Sequence, residues 1–79
     1  MVITIIPRGL VWQYFGRKEP FEIEVPDGCT CAEALRCAGL DWETAPKFGF
    51  ASVNGMKVMM DARINDGDVI KAFPRISGG

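Results

Sequence analysis

The chain has 79 residues, 48% of them hydrophobic, a length that allows one domain with one modest core. Lys and Arg total 9 against 10 Asp and Glu, and the net charge of −1 offers no broad attraction for phosphate backbones. No apolar run approaches the ~20 residues of a membrane span, and no basic segment leads into an apolar stretch typical of a signal peptide. We therefore expect a soluble, cytoplasmic protein that binds neither nucleic acid nor membrane.

The first two predicted elements are strands. Residues 1–6 are rich in β-branched side chains and are followed by Pro7, a pattern typical of a buried strand. Residues 21–25 alternate apolar and acidic side chains, as in a strand with one wet face. The connection between them, residues 8–20, is long for a hairpin loop. Its aromatic residues either extend the strands or cover one end of the core; they are Trp12, Tyr14 and Phe15.

One short amphipathic helix is predicted next. Thr30 is placed to cap its N-terminus, and Glu33, three residues later, completes the spacing of a capping box. Gly39 is placed to end the helix. Apolar side chains between these signals recur at i, i+3, i+4 and i+7, which gives the helix one buried face. The residues on this face are Cys31, Ala34, Leu35 and Ala38.

A second hairpin and a final strand are predicted in the C-terminal half. Residues 48–53 and 56–60 flank Asn54-Gly55, a pair typical of a tight hairpin turn. Residues 66–68, Asp-Gly-Asp, indicate a solvated turn, and residues 69–73 a last strand that ends at Pro74. Parallel pairing of the first and last strands would bury both inside the sheet. The predicted class is therefore α+β, with a mixed sheet packed on one main helix.

No catalytic or metal site is evident in the sequence. Histidine is absent, which removes the commonest general base near neutral pH and the commonest metal ligand. A zinc site on the three cysteines, Cys29, Cys31 and Cys37, would lack a fourth ligand at a familiar spacing. Their odd number also does not match the paired disulfides of a small secreted domain. We interpret them as small hydrophobic residues packed at the start and along the face of the helix.

The C-terminal segment is the remaining candidate site. Pro74 cannot extend a strand ladder, and residues 75–79, Arg-Ile-Ser-Gly-Gly, follow it. Five extended residues reach about 17 Å, far enough to enter the active site of another protein. Gly78 and Gly79 place no side chain beside the terminal carboxylate, which is ionised at neutral pH and needs activation by a partner. We predict a globular domain over residues 1–74 and a flexible tail over residues 75–79.

Residues at the base of this tail are predicted to dock onto the partner. Ile76 is an apolar side chain that could anchor the tail at the mouth of a channel. Phe73 lies on the strand face opposite Ile70, which places it on the surface as a candidate contact. The predicted site therefore has a reactive C-terminus, formed by Gly78 and Gly79, and an adjoining docking segment. The docking segment comprises Phe73, Pro74, Arg75, Ile76 and Ser77.

Three stretches resemble the MoaD/ThiS family of ubiquitin-like sulfur-carrier proteins. They are residues 25–30 (Val-Pro-Asp-Gly-Cys-Thr), residues 53–55 (Val-Asn-Gly) and residues 66–79, so the resemblance covers most of the chain from Phe21 onward. It implies a β-grasp fold and a cycle in which an E1-like enzyme uses ATP to adenylate the Gly79 carboxylate. A sulfur donor of the cysteine desulfurase or rhodanese type then converts the adenylate to a thiocarboxylate. The carrier is a substrate in this cycle and holds no permanent cofactor.

The sequence resembles more than one type of sulfur carrier, and each type implies a different acceptor of the sulfur. The length, Pro74 and the Ser77-Gly78-Gly79 ending are more similar to the small subunit of molybdopterin synthase, which implies the large catalytic subunit as acceptor. Residues 40–44 look more like thiamine-type carriers, and residues 8–20 match neither type. A thiamine-pathway carrier or another biosynthetic carrier is therefore an alternative. So are a protein modifier joined through Gly79 to a lysine, and a plain β-grasp interaction module. An independent enzyme is the alternative that the sequence supports least.

Overall fold

Five strands and one main helix form the structure, a computed structural model that describes residues 1–76. A mixed sheet carries the helix on one face, so the predicted α+β β-grasp class is confirmed. No helix in the described part of the chain is long and apolar enough to cross a membrane. The elements are β1 (Val2–Pro7), a 3-10 helix (Gly9–Val11), α1 (Trp12–Phe15), β2 (Phe21–Glu24), α2 (Cys31–Cys37), β3 (Phe48–Val53), β4 (Met56–Val58) and β5 (Val69–Pro74).

The first and last strands lie side by side inside the sheet. The strand order is β2-β1-β5-β3-β4, and β1 and β5 run parallel with Ile5 opposite Ile70 and Pro7 opposite Ala72. Ile5, Ile70 and Ala72 are fully buried, as expected for inner strands covered by a helix. The predicted parallel pairing is confirmed. It joins the β1-β2 hairpin to the C-terminal strands, so the end of β5 lies next to the end of β1.

Helix α2 begins where the sequence predicts. Thr30 accepts a hydrogen bond from the Glu33 backbone N–H at 3.2 Å, and Glu33 accepts one from the Thr30 N–H at 2.8 Å, which completes the capping box. The helix ends at Cys37, and Gly39 follows with φ of 111°. A Cβ on Gly39 would lie only 2.7 Å from the Tyr14 carbonyl oxygen, so glycine is required for this close approach. Helix α2 is thereby packed against the end of α1.

Residues 8–20 cover one end of the core instead of extending the strands. Val11 in the 3-10 helix is fully buried, and the half-buried Tyr14 and Phe15 pack against the core from α1. The Phe15 ring meets the edge of Phe21 in β2 at a centroid distance of 5.6 Å. The Tyr14 hydroxyl accepts a hydrogen bond from the Lys47 N–H at 3.0 Å. The segment therefore ties the first hairpin to the loop that precedes β3.

Strand β4 is shorter than predicted. It ends at Val58, whereas the sequence indicated a strand over residues 56–60. The following backbone leaves the sheet because it bonds to the start of helix α2. The Ala32 N–H donates to the Met60 carbonyl at 2.9 Å, and the Cys31 N–H donates to the Ala62 carbonyl at 2.8 Å. These bonds satisfy backbone groups of the first helical turn and fix the helix over the sheet.

The turn before β5 is not fully solvated, because Asp68 is only 8% exposed. Its carboxylate accepts a hydrogen bond from the Asn54 side-chain amide at 2.9 Å and another from the Asn65 N–H at 2.8 Å. The side-chain oxygen of Asn54, which has φ of 52°, accepts the Val69 N–H at 2.9 Å. Since these bonds pair each buried polar group, the β3-β4 turn is locked to the start of β5.

Candidate functional site

The base of the predicted tail is held against the loop before β3. Strand β5 ends at Pro74, which lies opposite Phe48. The Arg75 N–H then donates a hydrogen bond to the Lys47 carbonyl oxygen at 2.8 Å, and the Ile76 side chain is 83% exposed. Three predicted site residues lie outside the described residues: Ser77, Gly78 and Gly79. The division into a domain over 1–74 and a tail over 75–79 stays a prediction.

Two glycines flank the point where the chain leaves the sheet. A Cβ on Gly49 would lie 2.6 Å from the Pro74 carbonyl oxygen and 2.9 Å from the Arg75 Cα. On the other side, a Cβ on Gly9 would lie 2.8 Å from the Pro74 Cγ. We call these two glycines together with Lys47 the tail slot. A side chain on Gly9 would displace the Pro74 ring, and one on Gly49 would displace the backbone of Pro74 and Arg75.

Phe73 lies on the outer face of the sheet, opposite the buried side of Ile70, as predicted. Its ring stacks on Phe50 of β3, with centroids 4.7 Å apart and ring planes 12° apart. The Arg8 guanidinium carbon lies 5.7 Å from the Phe73 centroid, and the Lys57 Nζ lies 5.0 Å from the Phe50 centroid. These four residues, Arg8, Phe50, Lys57 and Phe73, form an aromatic patch with a cation at each end.

Charges on the outer face of the sheet are separated by strand. Lys71 of β5 lies opposite Ser52, which in turn lies opposite Lys57 of β4, so cations occupy the half of the face that contains the aromatic patch. The exposed carboxylates of Glu22 and Glu24 occupy the opposite edge strand, β2. The net charge of −1 conceals this separation. The side from which the tail leaves is therefore suited to an acidic protein surface.

An apolar groove of about 430 Å³ adjoins the patch. It shares Phe50 with the aromatic patch and Gly49 with the tail slot, and Trp42 and Met59 form part of its outer wall. Trp42 is 40% exposed and Met59 is 77% exposed, which is high for large apolar side chains. Together with the patch, the groove gives this end of the molecule a contact area beyond the predicted docking segment.

Three members of the aromatic patch were not predicted from the sequence: Arg8, Phe50 and Lys57. The residues of the tail slot were not predicted either. All of these residues lie on strands or loops whose partners depend on register, which a single sequence does not provide. The available signal was the period of two in β3 and β5, because it places Phe50 and Phe73 on outer positions. A bulge at Gly49 then brings Phe50 opposite Phe73. The docking role of Phe73, Pro74, Arg75, Ile76 and Ser77 stays a prediction.

Two of the three cysteines are core residues, as predicted. Cys29 and Cys31 are buried, and burial raises the pKa of Cys29 and raises the pKa of Cys31 to about 11. The interpretation was wrong for Cys37, which is exposed because it lies six residues beyond Cys31 and points away from the sheet. No group of three His, Cys, Asp or Glu side chains within residues 1–76 is arranged to hold a metal ion.

No protein-family model matches the chain. Among solved structures, SAMP1 from Haloferax volcanii, a small archaeal modifier protein, has a TM-score of 0.75 at 18% identity, with 100% of each chain covered. Putative molybdopterin converting factor subunit 1 from Pyrococcus furiosus has a TM-score of 0.71 at 22% identity, covering 95% of this chain and 98% of that one. A chain in the complex of subunits 1 and 2 of molybdopterin-converting factor from Helicobacter pylori has a TM-score of 0.63 at 24% identity, with full coverage of both.

These likenesses concern the fold. At identities below 25%, they show that the chain shares the ubiquitin-like β-grasp architecture of the compared proteins. The resemblance to the MoaD/ThiS family predicted from the sequence is thereby confirmed in its structural part. Coverage of nearly the whole of each chain indicates that the match includes the sheet, the helix and the end of β5.

We expect the exposed Cys37 thiol to react with alkylating agents before the two buried thiols, Cys29 and Cys31. At pH 8 iodoacetamide should modify Cys37 first in the native protein, because the pKa of Cys31 is raised to about 11 and its thiol stays protonated. Peptide mapping by mass spectrometry measures the order. Alkylation in urea should label all three sites. Native labelling of Cys31 as fast as Cys37 would contradict the burial described here.

Proposed function

We propose that this chain is a sulfur carrier that works through the Gly79 carboxylate. An E1-like enzyme adenylates this carboxylate with ATP, a sulfur donor converts the adenylate to a thiocarboxylate, and the thiocarboxylate gives its sulfur to an acceptor enzyme. The proposal rests on where strand β5 ends relative to the aromatic patch. This strand of a β-grasp domain ends at Pro74 beside the aromatic patch and its cations, and the chain leaves the sheet there at Arg75.

The chemistry explains why a carrier needs such an ending. A carboxylate is a poor electrophile, and its negative charge repels nucleophiles. Attack of a carboxylate oxygen on the α-phosphate of ATP releases pyrophosphate and leaves an acyl adenylate, in which AMP is a good leaving group. The terminal sulfur of a donor persulfide then attacks the carbonyl carbon and expels AMP. A second thiol cleaves the resulting acyl disulfide, which releases the thiocarboxylate and leaves a disulfide on the donor. Gly78 and Gly79 present no side chain to a narrow active site, so the activating enzyme supplies the catalysis and this chain supplies the substrate.

In this proposal the globular domain provides the surface that partner enzymes recognise. Phe50 and Phe73 offer a flat apolar contact, and Arg8 and Lys57 at its ends favour a partner with carboxylates around an apolar surface. Docking there leaves the predicted segment from Pro74 to Ser77 to guide the C-terminus into the partner. A separate docking surface and reactive end allow successive partners to use the same carrier.

Molybdopterin biosynthesis is the acceptor pathway that we propose. Two of the similar structures are named as molybdopterin-converting factor proteins, and one of them was determined as a complex of subunits 1 and 2. By this likeness the acceptor is a large catalytic subunit that transfers sulfur into a pterin precursor of the molybdenum or tungsten cofactor. A thiamine-type carrier remains the alternative. The proposal places the protein in the cytoplasm, where thiols such as Cys37 stay reduced.

A protein modifier is the second candidate function. The similarity to a small archaeal modifier protein favours it, because a modifier has the same fold. In this case the adenylated Gly79 would be joined to the amino group of a lysine on a target protein. Tryptic peptides that carry an isopeptide-linked Ile-Ser-Gly-Gly remnant, left by cleavage after Arg75, would identify this product, whereas a carrier is found free or sulfurated.

The sulfur-carrier function predicts a specific mass change. Incubation with ATP, the E1-like enzyme and a sulfur donor should increase the intact mass by about 16 Da, because sulfur replaces one oxygen of the carboxylate. Omitting ATP should abolish the gain, and Gly79→Ala should reduce or abolish it. Absence of the gain with a cognate activating enzyme of demonstrated competence would refute the proposal. An increase that is independent of ATP would indicate oxidation instead.

If partners dock on the aromatic patch, reversing a charge at its edge should weaken binding. Lys57→Glu should raise the KM of the activating enzyme for the carrier by about threefold to tenfold, equivalent to roughly 0.7–1.4 kcal/mol, with the larger effect at low salt. Arg36→Glu is the matched control, because it changes the net charge equally but lies on helix α2 behind the sheet. Initial rates of thiocarboxylate formation against carrier concentration measure both variants. Equal KM values for the two variants would show that the aromatic patch does not dock.

A further inference from the structure

Gly49 is the extra residue in a bulge beside the end of β5. Phe48 lies opposite Pro74 and Phe50 lies opposite Phe73, so two steps along β3 correspond to one step along β5. Gly49 is the residue between them, and it is exposed to solvent. Bulges bend a strand and redirect neighbouring groups, and they are common next to functional sites. Here the bulge lies where the chain leaves the sheet.

Residue 49 is glycine because the neighbouring backbone leaves no space for a side chain. Its φ is not in the left-handed region, so the backbone conformation alone would tolerate alanine. A Cβ would however lie 2.6 Å from the Pro74 carbonyl oxygen and 2.9 Å from the Arg75 Cα, distances that real Cβ atoms essentially never show. These neighbours are backbone atoms, which cannot rotate away as the end of a flexible side chain can. Alanine at residue 49 would therefore push the backbone of Pro74 and Arg75 outward.

The opposite wall of the tail slot leaves little room for this movement. Gly9 contacts the Pro74 ring, and the Arg75 N–H is bonded to the Lys47 carbonyl oxygen at 2.8 Å. Lys47 is itself held by the Tyr14 hydroxyl through its N–H at 3.0 Å. The direction of the chain at Arg75 is thus fixed from two sides. An outward shift would lengthen or break the bond between Arg75 and Lys47.

Direction at Arg75 matters because the reacting carboxylate is four residues away. Four extended residues span at most about 14 Å, so a base that shifts relative to the docked domain changes how far Gly79 can reach toward the reacting atoms. Misplacement of a reacting group by about 1 Å can reduce a rate by about a hundredfold. The activating enzyme can correct such an error only by stretching the segment or shifting the docked domain, at a cost in binding energy.

We propose that Gly49 is a positioning residue that sets the direction in which the tail leaves the globular domain. The inference rests on the proposed carrier function, since it concerns how Gly79 reaches the catalytic atoms of the activating enzyme. Docking uses the aromatic patch, and the atoms nearest to a Cβ on Gly49 belong to Pro74 and Arg75 and not to the patch. A substitution that distorts the tail slot therefore lowers the reaction rate within the bound complex, whereas a substitution in the aromatic patch weakens binding.

The enzymatic test is Gly49→Ala in the thiocarboxylate assay. We expect kcat to fall by roughly tenfold or more while the KM for the carrier stays within about twofold, the reverse of the Lys57→Glu pattern. Gly55→Ala is the matched control, because residue 55 has φ of 88° with open space around its Cβ. It loses stability through backbone strain but leaves the tail slot intact, so its kcat should equal that of the unmodified chain.

Amide hydrogen exchange tests the structural part without any partner. Protection of the Arg75 N–H should fall at least about fivefold in Gly49→Ala, because its bond to Lys47 is lost. Protection of the Thr4 N–H, bonded to the Asp68 carbonyl at 2.9 Å in the inner strands, should not change. Unchanged Arg75 protection, or unchanged kcat, would overturn the inference. If the unmodified chain gains no sulfur, the carrier proposal fails, and the exchange result alone decides whether Gly49 fixes the tail.

Discussion

The parallel pairing of β1 and β5 is the interaction on which the rest of the structure depends. It is a long-range contact, formed between the two ends of the described chain, and it buries Ile5, Ile70 and Ala72 completely. Without it the β1-β2 hairpin and the strands β3 to β5 would be two small sheets, each too small for a stable core. The pairing also decides the geometry of the candidate site. Because the two strands run in the same direction, Arg8 after β1 meets Phe73 at the end of β5.

Recognition and reactivity are separated in the molecule. The aromatic patch and the cations around it lie on the rigid sheet, whose inner side is anchored by helix α2. The tail slot lies beside the end of β5, where the chain leaves the sheet at Arg75. A rigid surface limits the entropy lost when a partner binds, and glycines at the reactive end limit steric conflict inside the partner. The separation of docking surface and reactive end is consistent with a protein that binds several enzymes in succession.

Local signals in the sequence were sufficient for most of the fold. The capping box at Thr30 and Glu33 and the tight turn at Asn54 were predicted because each depends on residues within a few positions. Failures occurred where distant contacts overrode local pattern. Strand β4 ends early because residues 60–62 bond to helix α2, and Asp68 is buried because Asn54 reaches it from another turn. For the same reason the composition of the aromatic patch needed the strand register, which one sequence does not contain.

The central claim is that the chain is a substrate activated at its C-terminal carboxylate, and exchange between ATP and labelled pyrophosphate tests it most directly. Adenylation is reversible, so an E1-like enzyme from the same organism should incorporate label into ATP only when this chain is present. Removal of Gly78 and Gly79 should abolish the exchange although the folded domain remains. Exchange that is equally fast without the two glycines, or none with an enzyme of demonstrated activity on another carrier, would contradict the account and favour a plain β-grasp interaction module.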